Sequence, residues 1–139
     1  MARAVALALG AVMGAVMIVT FGQPAAASEA AAGGAATGDA GRGESVFRRA
    51  CAVCHTAIAG YHKEGPSLHG IVGRPAGSVP SFTSYKGMKD LDVVWDEMAL
   101  DGWLADPRAF LGGNNTSMTF KLESEQDRAD VIAYLKTIR

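Results

Sequence analysis

The segment Gly41–Thr56, GRGESVFRRACAVCHT, decides how the rest of the chain is read. It contains the only two cysteines, Cys51 and Cys54, with His55 directly after the second. Upstream, Glu44 to Ala50 are good helix formers that carry Val46 and Phe47 as apolar contacts, and Gly43 opens the run. The pattern predicts a helix that delivers the chain into a tight Cys-x-x-Cys-His turn.

Three familiar uses of a Cys-x-x-Cys pair leave His55 unexplained. A structural zinc site needs four ligands; there is no second cysteine pair, and adjacent Cys54 and His55 are poorly placed to share one tetrahedral ion with His62 or His69. A thioredoxin-like redox pair belongs in a βαβ context, which the flanks lack. A disulfide would close a very small loop and so constrain the unfolded chain little. Covalent haem attachment uses all three side chains: the two thiols add to the two vinyl groups while the histidine reaches the iron. A large flat cofactor also supplies core to a short apolar chain.

Working towards the N-terminus, Met1 and Arg3 precede an apolar run, Ala4 to Phe21, followed by small residues at Ala25 and Ala27. A charged start, an apolar middle and an Ala-x-Ala end predict a signal peptide over residues 1–27 and a periplasmic or otherwise extracytoplasmic destination. An uncleaved anchor, leaving the protein bound to the membrane, is the alternative, because the run is also long enough to span a bilayer. Residues 28–41 (SEAAAGGAATGDAG) are rich in Ala and Gly and predict a flexible linker. A single domain is then expected over 42–139. Beyond Ala27 there remain 12 Lys and Arg against 14 Asp and Glu, and no basic block suited to nucleic acid.

Towards the C-terminus, Gly60 to Lys89 is rich in Gly, Pro and Ser and reads as loop. Val94 to Ala105 reads as a helix; Asp106-Pro107 then caps and starts a short one that stops at Gly112-Gly113. From Ser124 to Arg139 a last helix is expected, with Ser124 as cap, Glu125 and Asp127 in the first turn, and Val131, Leu135 and Ile138 on one face. The fold class is therefore all-α, two terminal helices packing together through their apolar faces, with long loops organised around a haem.

The ordered set GRGESVF, CAVCHT, GPSLHGIVGR, Trp95, LADPRAF, Met118-x-Phe120 and RADVIAYLK resembles the class I cytochromes c, in particular the mitochondrial-like soluble carriers of bacteria. The resemblance implies crossed N- and C-terminal helices, with Gly43, Phe47, Val131 and Tyr134 at the crossing, and loops wrapped around one covalent haem c. Leu68, Leu104 and Phe120 are expected to line its pocket. Of the three methionines beyond the leader, Met98 is expected in the core and Met88 lies early in the chain, whereas Met118 matches the family's second axial ligand opposite His55. His62 and His69 are the rival ligands. The carbonyl of Pro66 is implied as the partner of the other nitrogen of His55, and Trp95, Arg74, Tyr85 and Thr116 as partners of the haem propionates. Three departures stand out: Trp103 replaces an aromatic hydroxyl near the methionine sulfur, Gly112 replaces a proline, and Asn114-Asn115 is inserted in the methionine loop.

Filling both axial positions with protein leaves no open coordination site, which argues for electron transfer and against an enzyme. The function expected is a monomeric carrier moving single electrons from a quinol-oxidising complex or dehydrogenase to a terminal acceptor. Arg49, Lys63, Arg108 and Lys121 are the candidate docking cations, with Ser117 where the family has a further lysine. The alternative is a haem enzyme or ligand sensor with a labile Met118.

Overall fold

The computed structural model describes residues 36–88 and 91–139, so the export segment and most of the expected linker lie outside the described residues. The described residues form four α-helices: α1 (Ala40–Val46), α2 (Glu97–Ala105), α3 (Pro107–Phe110) and α4 (Glu125–Leu135). A π-helical turn, Phe47–Cys51, continues α1 into the cysteine motif. There are no strands among the described residues.

Helix α1 starts two residues before the domain boundary expected at Arg42. Its N-cap is Asp39, whose carboxylate accepts from the Arg42 N–H at 2.7 Å. Composition placed Asp39 in the flexible tail; a single side chain able to satisfy an orphan amide is enough to begin the helix there. Helices α1 and α4 cross at Gly43, where a Cβ would stand 1.9 Å from the carbonyl oxygen of Asp130. Only glycine lets the backbones come this close. Val46 and Val131 are buried at the crossing, and Phe47 meets Tyr134 with ring centroids 5.3 Å apart.

The same crossing holds one buried carboxylate. Asp130 accepts from Arg42 Nε at 2.7 Å and Nη2 at 2.8 Å, from the Asp39 amide at 2.7 Å and from Gln126 Nε2 at 2.9 Å. The Arg42 guanidinium, helped by the Asp39 amide and Gln126, holds this carboxyl well below the usual range against the opposing effect of burial.

Helix α2 begins at Glu97, capped by Asp96, and not at Val94. Val94 instead forms an isolated antiparallel bridge with Pro75, and Trp95 exchanges bonds with the opposite segment, donating to Arg74 O at 2.9 Å and accepting from Gly73 N at 2.9 Å. The pairing pulls these two residues out of helical geometry. Met98, expected in the core, is 83% exposed, because Leu100, Trp103 and Leu104 form the buried face of α2 and Met98 lies across the helix from it.

Helix α3 starts as expected, with Asp106 accepting from Arg108 N and Ala109 N; it ends at Phe110 and is followed, after Leu111, by Gly112 and Gly113, whose φ values of 63° and 87° suit glycine. Helix α4 is capped by Ser124 but stops at Leu135, short of Arg139, because the carbonyl of Ile138 leaves the helix to accept from Gly70 N at 2.7 Å. Residues 60–88 contain no helix, as their composition predicts. Among the described residues no helix is long and apolar enough to cross a membrane.

Candidate functional site

The π-helical turn and the bonds that follow it wind the cysteine motif into one tight coil. Ala52 N donates to Phe47 O, and both Cys54 N and His55 N donate to Cys51 O at 3.1 and 2.9 Å. Cys51, Cys54 and His55 thereby line a single cavity. Cys51 is buried and Cys54 is exposed at the edge. Burial pushes the Cys51 thiol up to about 11, with the charge of Arg49 opposing, so it stays neutral at neutral pH.

His55 is fixed from behind. Its Nδ1 lies 2.7 Å from the carbonyl oxygen of Pro66. A carbonyl only accepts, so Nδ1 carries the proton and Nε2 keeps its lone pair for a metal. Burial lowers the pKa of the ring, against the raising effect of the Pro66 bond, and so favours the neutral ligand form. Gly65 makes this approach possible: a Cβ there would lie 2.3 Å from His55 Cε1. Gly65 N also donates to Cys54 O at 2.8 Å, closing the loop onto the motif.

Two buried hydroxyls that the sequence did not single out shape the same loop. Thr56 Oγ1 donates to Tyr61 O at 2.6 Å, and Ser67 Oγ to Ile58 O at 2.7 Å. Nothing in their local pattern distinguishes them from surface loop residues, since their acceptors are set by the fold of the loop.

The rest of the cavity wall comes from the loop over residues 60–88, from α2 and α4, and from the loop between α3 and α4. Leu68, Ile71, Leu100, Leu104, Val131 and Leu135 make it strongly apolar, and Met118, Met88 and Phe120 also line it. Met118 Sδ accepts from the indole Nε1–H of Trp103 at 3.1 Å. Neither rival histidine faces the cavity. His62 accepts from Ser67 N at Nδ1 and faces Pro80 O with Nε2, both at 3.0 Å, so its ring is already engaged.

Of the four residues implied as propionate partners, Trp95, Tyr85 and Thr116 line the cavity and Arg74 does not. Arg74 Nε donates to Gly70 O at 3.1 Å. Tyr85 accepts from Val79 N at 3.1 Å, which leaves its own hydroxyl proton free to donate to an anionic group. Burial raises the Tyr85 pKa, offset in part by the Val79 bond and the charge of Arg74, so the phenol stays a donor. Thr116 Oγ1 accepts from Met118 N at 3.1 Å.

These donors suit a haem. One edge presents two thiols for thioether bonds, an imidazole and a thioether sulfur are the axial pair that iron accepts, and the walls are apolar enough for a flat macrocycle. The candidate docking cations are less free than their sequence suggests. Arg49 pairs with Asp127 and Lys121 with Asp106, both at 2.5 Å, and Lys63 donates to the carbonyl of Ala52. Arg108 has no ion-pair partner among the described residues.

Comparison with known proteins points the same way. The Cytochrome c family model matches residues 40–139. A cytochrome c of Sesamum indicum is 41% identical over 101 residues, which cover 71% of this chain and 89% of the relative; one from Chlamydomonas reinhardtii is 43% identical over the same length. Among solved structures, cytochrome c2 from Rhodospirillum centenum superposes with a TM-score of 0.64 at 34% identity, covering 73% of this chain and 98% of the other. Ferricytochrome c2 from Rhodopseudomonas palustris gives 0.62 at 40% identity, covering 73% and 99%. A match that runs from the first turn of α1 to the last residue leaves one conclusion: the chain belongs to the cytochrome c family, carries one covalently attached haem c and is an electron carrier.

Proposed function

We propose that this protein works outside the cytoplasm as a monomer. It passes single electrons from a quinol-oxidising complex or dehydrogenase to a terminal acceptor, with His55 and Met118 as the two axial ligands. The observation that carries the reading is that both side chains line one cavity and each has its other polar contact already taken: His55 Nδ1 by Pro66 O and Met118 Sδ by Trp103. When bound, the haem supplies the one-electron couple. The chain supplies the rest: Cys51 and Cys54 would tether it, Pro66 sets the tautomer of His55, Tyr85, Trp95 and Thr116 would meet its acidic groups, and the leucine-lined walls would keep water out. Thioether with imidazole favours the reduced state more than two imidazoles do. With both His55 and Met118 bound to the iron, no coordination position would be left for a substrate.

Met118→Ala should lower the reduction potential and abolish the weak absorbance that iron–thioether bonding gives the oxidised protein. Met88→Ala, although Met88 lines the same cavity, should leave that absorbance in place; the reverse pattern would transfer the ligand role to Met88. Carbon monoxide added to the reduced native protein at neutral pH should bind slowly or not at all. Rapid binding would instead establish an enzyme or gas sensor with a labile Met118.

A further inference from the structure

The cavity is not uniform in charge. Among the described residues its lining holds one carboxylate, Glu64, and, apart from His55, one basic side chain, Lys86. Glu64 adjoins Gly65, whose N–H donates to Cys54 O, so the negative charge sits beside the cysteine motif. Lys86 closes a run of polar lining residues, Ser84-Tyr85-Lys86. No carboxylate among the described residues pairs with it.

A close approach brings a second polar run to the same place. Gly87 has a φ of 74°, and a Cβ there would stand 2.5 Å from the carbonyl oxygen of Asn115. Backbone therefore packs on backbone, and Lys86 is carried up to the inserted Asn114-Asn115 pair and the Thr116 that follows it. Thr116 Oγ1 accepts from Met118 N, and the Tyr85 hydroxyl accepts from Val79 N, so both hydroxyl protons remain free to donate. Two uncommitted O–H donors and one ammonium group thus meet on one part of an otherwise apolar wall, a set of donors that suits a carboxylate.

We infer that Lys86 is a haem-binding residue: its ammonium group pairs with an acidic group of the haem, the task that family resemblance assigns to Arg74. Arg74 does not line the cavity, and its Nε is taken by Gly70 O at 3.1 Å. The inference rests on the haem acids lying beside Tyr85 and Thr116. Lys86 is exposed, so the pair stands at the cavity mouth, where water and salt screen it. A cation there favours the ionised acid and offsets part of its negative charge at the iron.

The test follows the reduction potential of the holoprotein against pH. The potential falls with rising pH where a haem acid loses its proton, because ferric iron favours the ionised form. Lys86→Gln should move that fall to higher pH by roughly 0.2–0.7 pH units and lower the potential at pH 7. Lys86→Arg keeps the charge and should keep the native curve, while Arg74→Gln should move it less than Lys86→Gln does. Salt at about 1 M should shrink the difference between Lys86→Gln and the native protein, which a role in packing alone would not produce. A native curve in Lys86→Gln, or an equal or larger shift in Arg74→Gln, overturns the proposal. Tyr85→Phe tests the reading beneath it. A shift there with none in Lys86→Gln removes Lys86 alone, whereas no shift in either variant places the haem acids elsewhere and overturns both.

Discussion

Asp130 is 2% exposed, yet four hydrogen-bond donors converge on it. Its folded pKa is depressed, chiefly by Arg42, while in the unfolded chain it titrates near 3.9. Its contribution to stability is therefore complete above about pH 4 and is lost as pH falls further, towards the folded value. Asp130→Asn should lower the thermal midpoint at pH 7, and the gap to the native protein should narrow on going to pH 2; a constant gap would show that charge is not the cause. No local pattern exposes this residue, because an acidic side chain on a helix reads as solvent-facing and its arginine partner is 88 positions away. Cys51, Cys54 and His55 were legible for the opposite reason, since their chemistry lies within five consecutive residues. Pro66 and Met118 fall between these cases: spacing alone leaves several methionines open, and family likeness selected one.

The elements themselves were read well where a local side chain ends or starts them, as at Asp106-Pro107, Gly112 and Ser124. They were misread where a distant partner intervenes: the bridge to Pro75 removes Val94 and Trp95 from α2, and Gly70 draws Ile138 out of α4. The burial of Met98 was also misread, because Leu100, Trp103 and Leu104 set the buried face of α2 and Met98 lies across the helix from it. The crossing of α1 and α4 is the least tolerant contact between elements. In Gly43→Ala the new methyl would meet backbone, not a side chain able to move, so a loss of at least about 1–3 kcal/mol is expected. That is about 4–8 °C in thermal midpoint for each kcal/mol. Gly41→Ala, where a Cβ would face only the Asp39 side chain at 3.3 Å, should move stability by less than about 1 kcal/mol. Equal losses in the two variants would mean that helix propensity, not the close approach, governs this site.

For the molecule as a whole, ion pairing changes the expected encounter with partners. With Arg49, Lys63 and Lys121 already engaged, the cations near the site steer weakly. Oxidation of the reduced protein by hexacyanoferrate, a small anion, should slow by less than about tenfold between low and physiological salt, at the bottom of the range steering can give. Asp127→Asn should free Arg49 and steepen that dependence, at a stability cost of no more than about 1 kcal/mol because the pair is exposed. A steep dependence in the native protein that Asp127→Asn leaves unaltered would restore a fully basic docking face. The sequence showed which cations exist and where, but carboxylates brought in from α4 and the start of α3 decide how many remain available.

The joining of Asp39 to Asp130 spans 91 positions, and it has a consequence in time. A ribosome adds roughly 5–20 residues each second, so about 5–20 seconds separate the appearance of the two partners. Through most of that interval the Cys-x-x-Cys-His segment has been made without the helix that supplies Val131 and Leu135 to the cavity. The nascent chain is thus a half-open clasp that shuts only when its final turns arrive.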